Sequence, residues 1–477
     1  MHDFPSFIGG EWRESRRKIE IVSPFSGAVV GTVHEASAAH VEAAIEAGKA
    51  ACPMMAALPG HRRREILNGV AEILRKREAE FAALISAEAG KPVALARAEV
   101  QRAQDTFAFA AEEVPHLCGQ SIDLASATPG NGRFGIVRRF PVGLIAAITP
   151  FNFPLNLVAH KVAPAIAAGC PIIVKPAPQA PLSAFALAQA CLEAGLPSGG
   201  LSVLLCRVED AEPLVVDPRV RLLTFTGSAA VGWHLKAAAG HKRVLLELGG
   251  NAAAIVHEDA DIAFAAARVA QGAFAYAGQS CISVQRVLVH RSQWELFQAT
   301  LLERIARDVG TGDPSDASIV CGPVIDATAA DRIEGWIAES LSGGAKVLLT
   351  GERRGLLLPP TVLINVPHHA HLNWAEAFGP VVTLAPYDTL EEALAEVNDS
   401  RYGLQTGIFT DSLAAVWQAF ETLQVGAVIH NDVPTFRVDH MPYGGVKDSG
   451  LGREGPREAM LEYTEPRLLA LRPVIPK

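Results

Sequence analysis

The sequence predicts an α/β fold with two domains, each built on a doubly wound parallel sheet. Three observations lead there. Short apolar runs alternate with helix-patterned stretches in two successive regions, as expected of strands covered on both faces by crossover helices. The 477 residues are 49% hydrophobic, enough for two or three buried cores. The polar residues that break the pattern fall just after apolar runs, at strand carboxyl ends, where open α/β sheets bind ligands.

Taken in order, residues 7–12 and 28–33 read as short strands of an N-terminal hairpin region, with Ser23-Pro24-Phe25-Ser26-Gly27 as its turn. From Ala38 to about Glu113 the pattern is helical, with breaks expected near Pro53, Pro59-Gly60 and Gly90-Lys91-Pro92. A Gly/Ser/Pro-rich patch at 126–132 ends that region. Apolar runs then follow at 144–148, 172–174, 203–205, 222–225 and 245–248, separated by helix-like stretches at 154–168, 181–194, 208–216 and 229–239. A second series has runs at 253–256, 286–289, 346–349, 381–383, 407–409 and 427–429. The tail, 462–476, is apolar and Pro-punctuated without helical period, which reads as an exposed strand packing on a partner subunit.

Composition excludes several classes. A net charge of −9 gives no footprint for nucleic acid. The longest apolar region, 157–174, is interrupted by His160, Lys161, Pro164, Gly169 and Pro171, so no membrane span is expected. Seven scattered cysteines include no CxxC pair, which argues against zinc or a disulfide framework and for reduced thiols in the cytoplasm. The N-terminus lacks the pattern of a signal peptide.

The chemistry centres on Gly278-Gln279-Ser280-Cys281, between a helix-like stretch (264–276) and a strand-like one (286–289). A thiolate there is a strong nucleophile held between two rigid elements. Asn152 can offer its side-chain NH₂ to an oxyanion. Glu247 lies among Leu245, Leu246 and Leu248, surroundings that raise a carboxyl pKa toward that of a useful base. Gly227-Ser228 opens a helix, so its N–H groups can receive a phosphate with Ser228 as the cap.

Seven stretches together carry a resemblance. They are Thr149-Pro150-Phe151-Asn152-Phe153-Pro154, Val174-Lys175-Pro176, Phe225-Thr226-Gly227-Ser228-Ala229-Ala230-Val231-Gly232, Glu247-Leu248-Gly249-Gly250-Asn251, Gly278-Gln279-Ser280-Cys281, Glu376-Ala377-Phe378-Gly379-Pro380 and Pro442-Tyr443-Gly444-Gly445-Val446-Lys447. In this order they resemble the aldehyde dehydrogenase superfamily over almost the whole chain. The resemblance implies an atypical Rossmann-like cofactor domain (1–118 and 140–249), a catalytic domain (250–440) and a small β oligomerisation element (119–139 and 455–477), forming a homodimer or homotetramer.

It further implies NAD- or NADP-dependent oxidation of an aldehyde to the acid, without a metal. Cys281 would attack, Asn152 would hold the oxyanion, and Glu247 would activate the hydrolytic water. Thr149, Pro150, Phe151, Lys175, Gly227, Ser228, Glu376 and Phe378 would bind cofactor, Lys175 at the adenosine ribose and Glu376 at the nicotinamide ribose. Relatives that pass the acyl group to coenzyme A generally lack a glutamate at the position of Glu247. Free acid is therefore the expected product; a CoA-acylating enzyme and a non-catalytic relative are the alternatives.

Many relatives continue Lys-Pro with Ser-Glu, whose glutamate grips the ribose hydroxyls of NAD. Here Lys175-Pro176 is followed by Ala177-Pro178, so a 2′-phosphate is not repelled and NADP is expected to be tolerated or preferred. For the substrate, His160 lies two helical turns beyond Asn152, a spacing that returns it to the same face and to the substrate entrance. Arg102 and Arg437 resemble anion-holding positions of the non-phosphorylating glyceraldehyde-3-phosphate branch. Such relatives often carry Arg before the cysteine, where this chain has Ser280. A small polar or carboxylated aldehyde, of lactaldehyde or semialdehyde type, is expected.

Overall fold

The five apolar runs between 144 and 248 become adjacent parallel strands, because alternate residues of each are hydrophobic toward opposite faces. Ile145, Ala147, Ile172, Val174, Leu222 and Leu245 enter one core; Leu144, Ala146, Ile173, Leu223, Phe225, Val244 and Leu246 enter the other. The computed structural model describes residues 2–472.

The first sheet has eight strands, in the order Gly450–Leu451, Arg243–Glu247, Val220–Thr226, Leu144–Ile148, Ile172–Lys175, Leu201–Val203, Ser6–Ile8 and Glu11–Arg13. The middle five are parallel, and both edges are antiparallel. From Leu144–Ile148 the chain adds two strands on one side and then two on the other. The loops after Leu144–Ile148 and Val220–Thr226 therefore border a topological switch point.

The second sheet runs Lys346–Leu349, Thr361–Ile364, Val381–Tyr387, Arg286–His290, Ala253–Val256, Gln405–Phe409 and Ala427–His430, parallel except for its first strand. A third, antiparallel sheet joins Gln120–Ile122, Phe134–Pro141 and Thr464–Leu471. Leu468 and Leu469 stand exposed on its last strand. Pro473 and the residues after it lie outside the described residues.

Several local expectations change. Residues 7–12 are a hairpin of two strands turning at Gly9-Gly10, both with positive φ, rather than one strand. Val29–His34 lies between His2–Phe4, parallel to it, and Lys18–Val22, antiparallel, whose alternating charges hide it in the sequence. The helix Ala38–Ala57 runs through Pro53, which removes one hydrogen bond without ending it. The next helical stretch is instead interrupted at Arg77, with φ −107° and ψ 21°. Leu201–Val203 sits two residues earlier than expected, and residues 208–216 form two short helical turns rather than one helix. Thr361–Ile364 is an additional strand.

Candidate active site

Cys281 owes its position to an abrupt end of the preceding helix. That helix, capped by Asp261 accepting from the Phe264 N–H, spans Ile262–Phe274. Tyr276, Ala277 and Gly278 then adopt left-handed φ of 52°, 53° and 68°. For the two non-glycine residues this costs about 1–3 kcal/mol each, offset by fixed contacts. The Tyr276 hydroxyl donates to Ala89 O at 2.9 Å. Gln279 Nε2 donates to Tyr276 O and Pro323 O, and its Oε1 accepts from the Ile325 N–H. A β-carbon on Gly278 would strike the Gly379 carbonyl, and one on Gly250 the Cys281 carbonyl, so both positions demand glycine.

The sulfur faces a cavity of about 460 Å³. Asn152, Glu247, Ser280, Arg102 and Arg437 line it, as do Pro150, Phe151, Gly227, Ser228, Glu376 and Phe378. The structure thus gathers residues from both sheets. The first sheet supplies strand carboxyl ends, and the second supplies the loops that precede Arg286–His290 and Val381–Tyr387.

Asn152 Nδ2 donates to the Gln279 carbonyl at 3.0 Å, leaving its second N–H available. The Cys281 N–H donates to no protein acceptor among the described residues. Glu247 is 3% exposed, and its Oε1 has no hydrogen-bond partner. Burial pushes its pKa well above the ordinary carboxylate value, and the nearby Glu454 carboxylate pushes it further. Burial likewise raises the Cys281 thiol, with Glu247 adding to the effect.

Glu376 accepts from the Gly250 N–H at 3.1 Å, and burial raises its pKa to about 7. Its loop is pinned by Gln285, whose amide donates to Leu372 O and Ala375 O and accepts from the Ala377 N–H. Phe151 and Phe378 meet edge to face across the cavity at 5.8 Å.

Ser228 occupies the N-cap position of the helix Ala229–Ala238, but its side chain makes no capping bond, contrary to expectation; the exposed hydroxyl is uncommitted. Lys175 and Thr149 are absent from the cavity lining. Lys175 ends its strand, and the Thr149 N–H donates to its carbonyl. The Thr149 Oγ1 is buried without a partner. Burial lowers the Lys175 pKa, opposed by the Cys206 thiol and by no carboxylate. Pro178 is exposed. An uncommitted hydroxyl at a helix N-terminus and a carboxylate in the same cavity lining fit a nicotinamide dinucleotide.

His160 is a correction. Asn152 precedes the helix Asn156–Ala168, so helical spacing does not relate the two. His160 is 1% exposed and absent from the cavity lining, bonded instead to Asp439 Oδ1 at 2.7 Å. Burial, then Arg437, lowers its pKa. Asp439 also accepts a two-pronged pair from Arg102 (2.9 and 3.0 Å) and a bond from Asn156 Nδ2.

Three groups near the sulfur, Lys161, Glu454 and Tyr443, had no assigned part in the sequence reading. Lys161 Nζ pairs with Glu454 Oε1 at 2.8 Å, and Arg437 Nη2 with Glu454 Oε2 at 3.3 Å. Burial would raise Glu454, but Lys161 and Arg437 outweigh it and hold its pKa at about 2. The Arg437 guanidinium lies 3.6 Å from the centre of the Tyr443 ring. Tyr443 Oη lies 3.0 Å from Cys281 Sγ. The stretch around Tyr443 was legible as a motif, whereas Lys161 and Glu454, remote in sequence, carry no local signal.

A sequence profile described as the aldehyde dehydrogenase family matches residues 12–469. The chain is 41% identical over 466 residues to 3-sulfolactaldehyde dehydrogenase of Priestia aryabhattai, covering 98% of this chain and 97% of that protein. Among solved structures it is similar to aldehyde dehydrogenase 21 from Physcomitrella patens in complex with the reaction product succinate (TM-score 0.96, 41% identity, 99% and 98% coverage). It also resembles NADP-dependent glyceraldehyde-3-phosphate dehydrogenase from Bacillus halodurans complexed with NADP (TM-score 0.95, 35% identity, 99% of each chain).

Proposed function

The chain belongs to the aldehyde dehydrogenase family, and we propose that Cys281, Asn152 and Glu247 carry its NAD(P)-dependent oxidation of an aldehyde to the acid. The observation behind this assignment is that three side chains from separate segments line one cavity, with Glu247 Oε1 unpartnered and one N–H of Asn152 uncommitted.

The Cys281 thiolate adds to the aldehyde carbon, and the carbonyl π electrons move to oxygen, giving a thiohemiacetal oxyanion. The free N–H of Asn152 and the Cys281 N–H accommodate that charge. A nicotinamide dinucleotide held in the cavity would supply the hydride acceptor. Loss of hydride from the thiohemiacetal carbon leaves a thioester on Cys281. Glu247 takes a proton from water as the water oxygen attacks the thioester; the C–S bond breaks, freeing the acid and the thiolate. Ser228 and the N-terminus of Ala229–Ala238 would hold cofactor phosphate, Glu376 a ribose, and Lys175 and Thr149 the adenosine side.

The substrate we assign is a small anionic aldehyde, carboxylated or otherwise. Arg102 and Arg437 bring two guanidinium groups to the cavity, and relatives handle 3-sulfolactaldehyde or carry succinate. No carboxylate faces Lys175, and Pro178 supplies none, which favours acceptance of NADP. We assign residues 1–118 and 140–249 to cofactor binding and 250–440 to catalysis. The three-stranded sheet is the proposed homodimer or homotetramer contact, with Leu468 and Leu469 exposing apolar side chains on its two faces. All seven cysteines are free, in keeping with a reducing cytoplasm, and no helix among the described residues is long and apolar enough to cross a membrane.

The test follows cofactor reduction with neutral, carboxylated, sulfonated and phosphorylated aldehydes, using both cofactors, with Cys281→Ser as control. Reduction that survives Cys281→Ser overturns the assignment. A requirement for coenzyme A would shift it to acyl transfer.

A further inference from the structure

Tyr443 is fixed on three sides. Its backbone exchanges two hydrogen bonds with Glu454, N to O at 3.0 Å and O to N at 2.6 Å. Its ring is 1% exposed and roofed by the Arg437 guanidinium at 3.6 Å. Its hydroxyl has one protein partner among the described residues, the Cys281 sulfur at 3.0 Å, and that sulfur in turn has no other. A phenol has a single proton to donate. Toward a neutral thiol either atom can be the donor; toward a thiolate only the tyrosine can, and the bond becomes charge-assisted.

We propose that Tyr443 is a positioning residue for the reaction, its O–H donating to the Cys281 thiolate and holding Sγ toward the cavity. The inference rests on the assignment of Cys281 as nucleophile. It adds a donor on the sulfur itself, distinct from the Asn152 and Cys281 N–H donors that serve the substrate oxygen. The cation above the ring draws electron density from the phenol and strengthens it as a donor. Glu454 secures both ends of this arrangement, through Arg437 and through the Tyr443 backbone.

The charged and titratable groups facing the sulfur are Glu247 and Glu376, which disfavour its anion, and Tyr443 and Arg437, which favour it. Tyr443→Phe removes only the hydroxyl and keeps the ring under Arg437. The readout is the pH dependence of iodoacetamide labelling at Cys281 in the full-length enzyme, measured on its peptide by mass spectrometry. This readout needs no turnover. A lost bond to a charged group lowers the thiolate fraction about 10- to 100-fold at fixed pH, so the midpoint moves up by about 1–2 pH units. The value of kcat/KM for aldehyde falls about tenfold or more, while cofactor affinity stays unchanged.

Site-specific 3-fluorotyrosine at 443, a more acidic phenol of nearly the same shape, moves the labelling midpoint down. It also serves if the phenylalanine variant does not fold. An unmoved midpoint, or one displaced opposite to these directions, overturns the proposal. So does a fall in kcat/KM with unchanged labelling, which would place the hydroxyl on the substrate. Failure of Cys281→Ser to abolish cofactor reduction would instead reject the nucleophile assignment, a separate outcome.

Discussion

Replacing Asn152 by alanine separates the chemical step from binding. Its amide spends one N–H on the Gln279 carbonyl at 3.0 Å and, in the proposed assignment, keeps the other for the oxygen that becomes charged when the sulfur attacks. Losing one such donor costs about 3–4 kcal/mol in the transition state, which slows the reaction by about 10²- to 10³-fold. The uncharged aldehyde gains little from the same donor, so the loss falls on kcat far more than on KM. The substitution also orphans the Gln279 carbonyl, a cost of about 1 kcal/mol in stability, far too small to mimic the kinetic effect. Steady-state cofactor reduction at saturating NAD or NADP gives kcat and KM, and iodoacetamide labelling of Cys281 reports whether the nucleophile is intact. A fall in kcat below tenfold would refute the oxyanion assignment. So would a parallel loss of labelling, because the damage would then lie at the sulfur.

Other perturbations have equally definite signs. Glu247→Gln abolishes hydrolysis but leaves acylation, so rapid mixing should show one equivalent of reduced cofactor per active site and then near-silence. The same variant should melt higher. The folded-state pKa of Glu247 is raised, so its carboxylate costs stability at every pH above the unfolded value, and removing it relieves that cost. Glu454→Gln deletes a negative neighbour of Glu247, and the acid limb of kcat should move to lower pH, by about one unit for each 1.36 kcal/mol of repulsion lost. Glu454 itself has a depressed pKa, so its contribution to stability is present above pH 4.5 and is lost as pH falls toward 2, measurable by acid titration of the melting temperature. Pro178→Glu should lower kcat/KM for NADP at least tenfold relative to NAD; an unchanged ratio would remove this position from cofactor choice.

The centre of each sheet was readable because its strands are buried on both faces and so appear as uninterrupted apolar runs. Two others were not: Lys18–Val22, with one wet face, alternates Lys, Ile and Glu, and Thr361–Ile364, though buried on both faces, is short and follows Pro359-Pro360, which reads as a loop. Of the site, Cys281, Asn152 and Glu247 were legible from short stretches whose neighbours fix their local geometry. His160 was misplaced because a helical period was extended back through residues that are not helical. Glu454 could not be found in this way. Its meaning comes from Lys161, Arg437 and Glu247, and contacts across hundreds of residues leave no trace in any local window.

The edge strand Gly450–Leu451 lies antiparallel beside Arg243–Glu247, with Glu247 opposite Gly450. The base is therefore framed by a segment that leaves the ribosome some two hundred residues after it. Until then the chain lacks both the Tyr443 phenol beside the sulfur and the Glu454 carboxylate near Glu247. The thiol at 281 thus acquires the Tyr443 phenol as a neighbour only when synthesis is nearly complete.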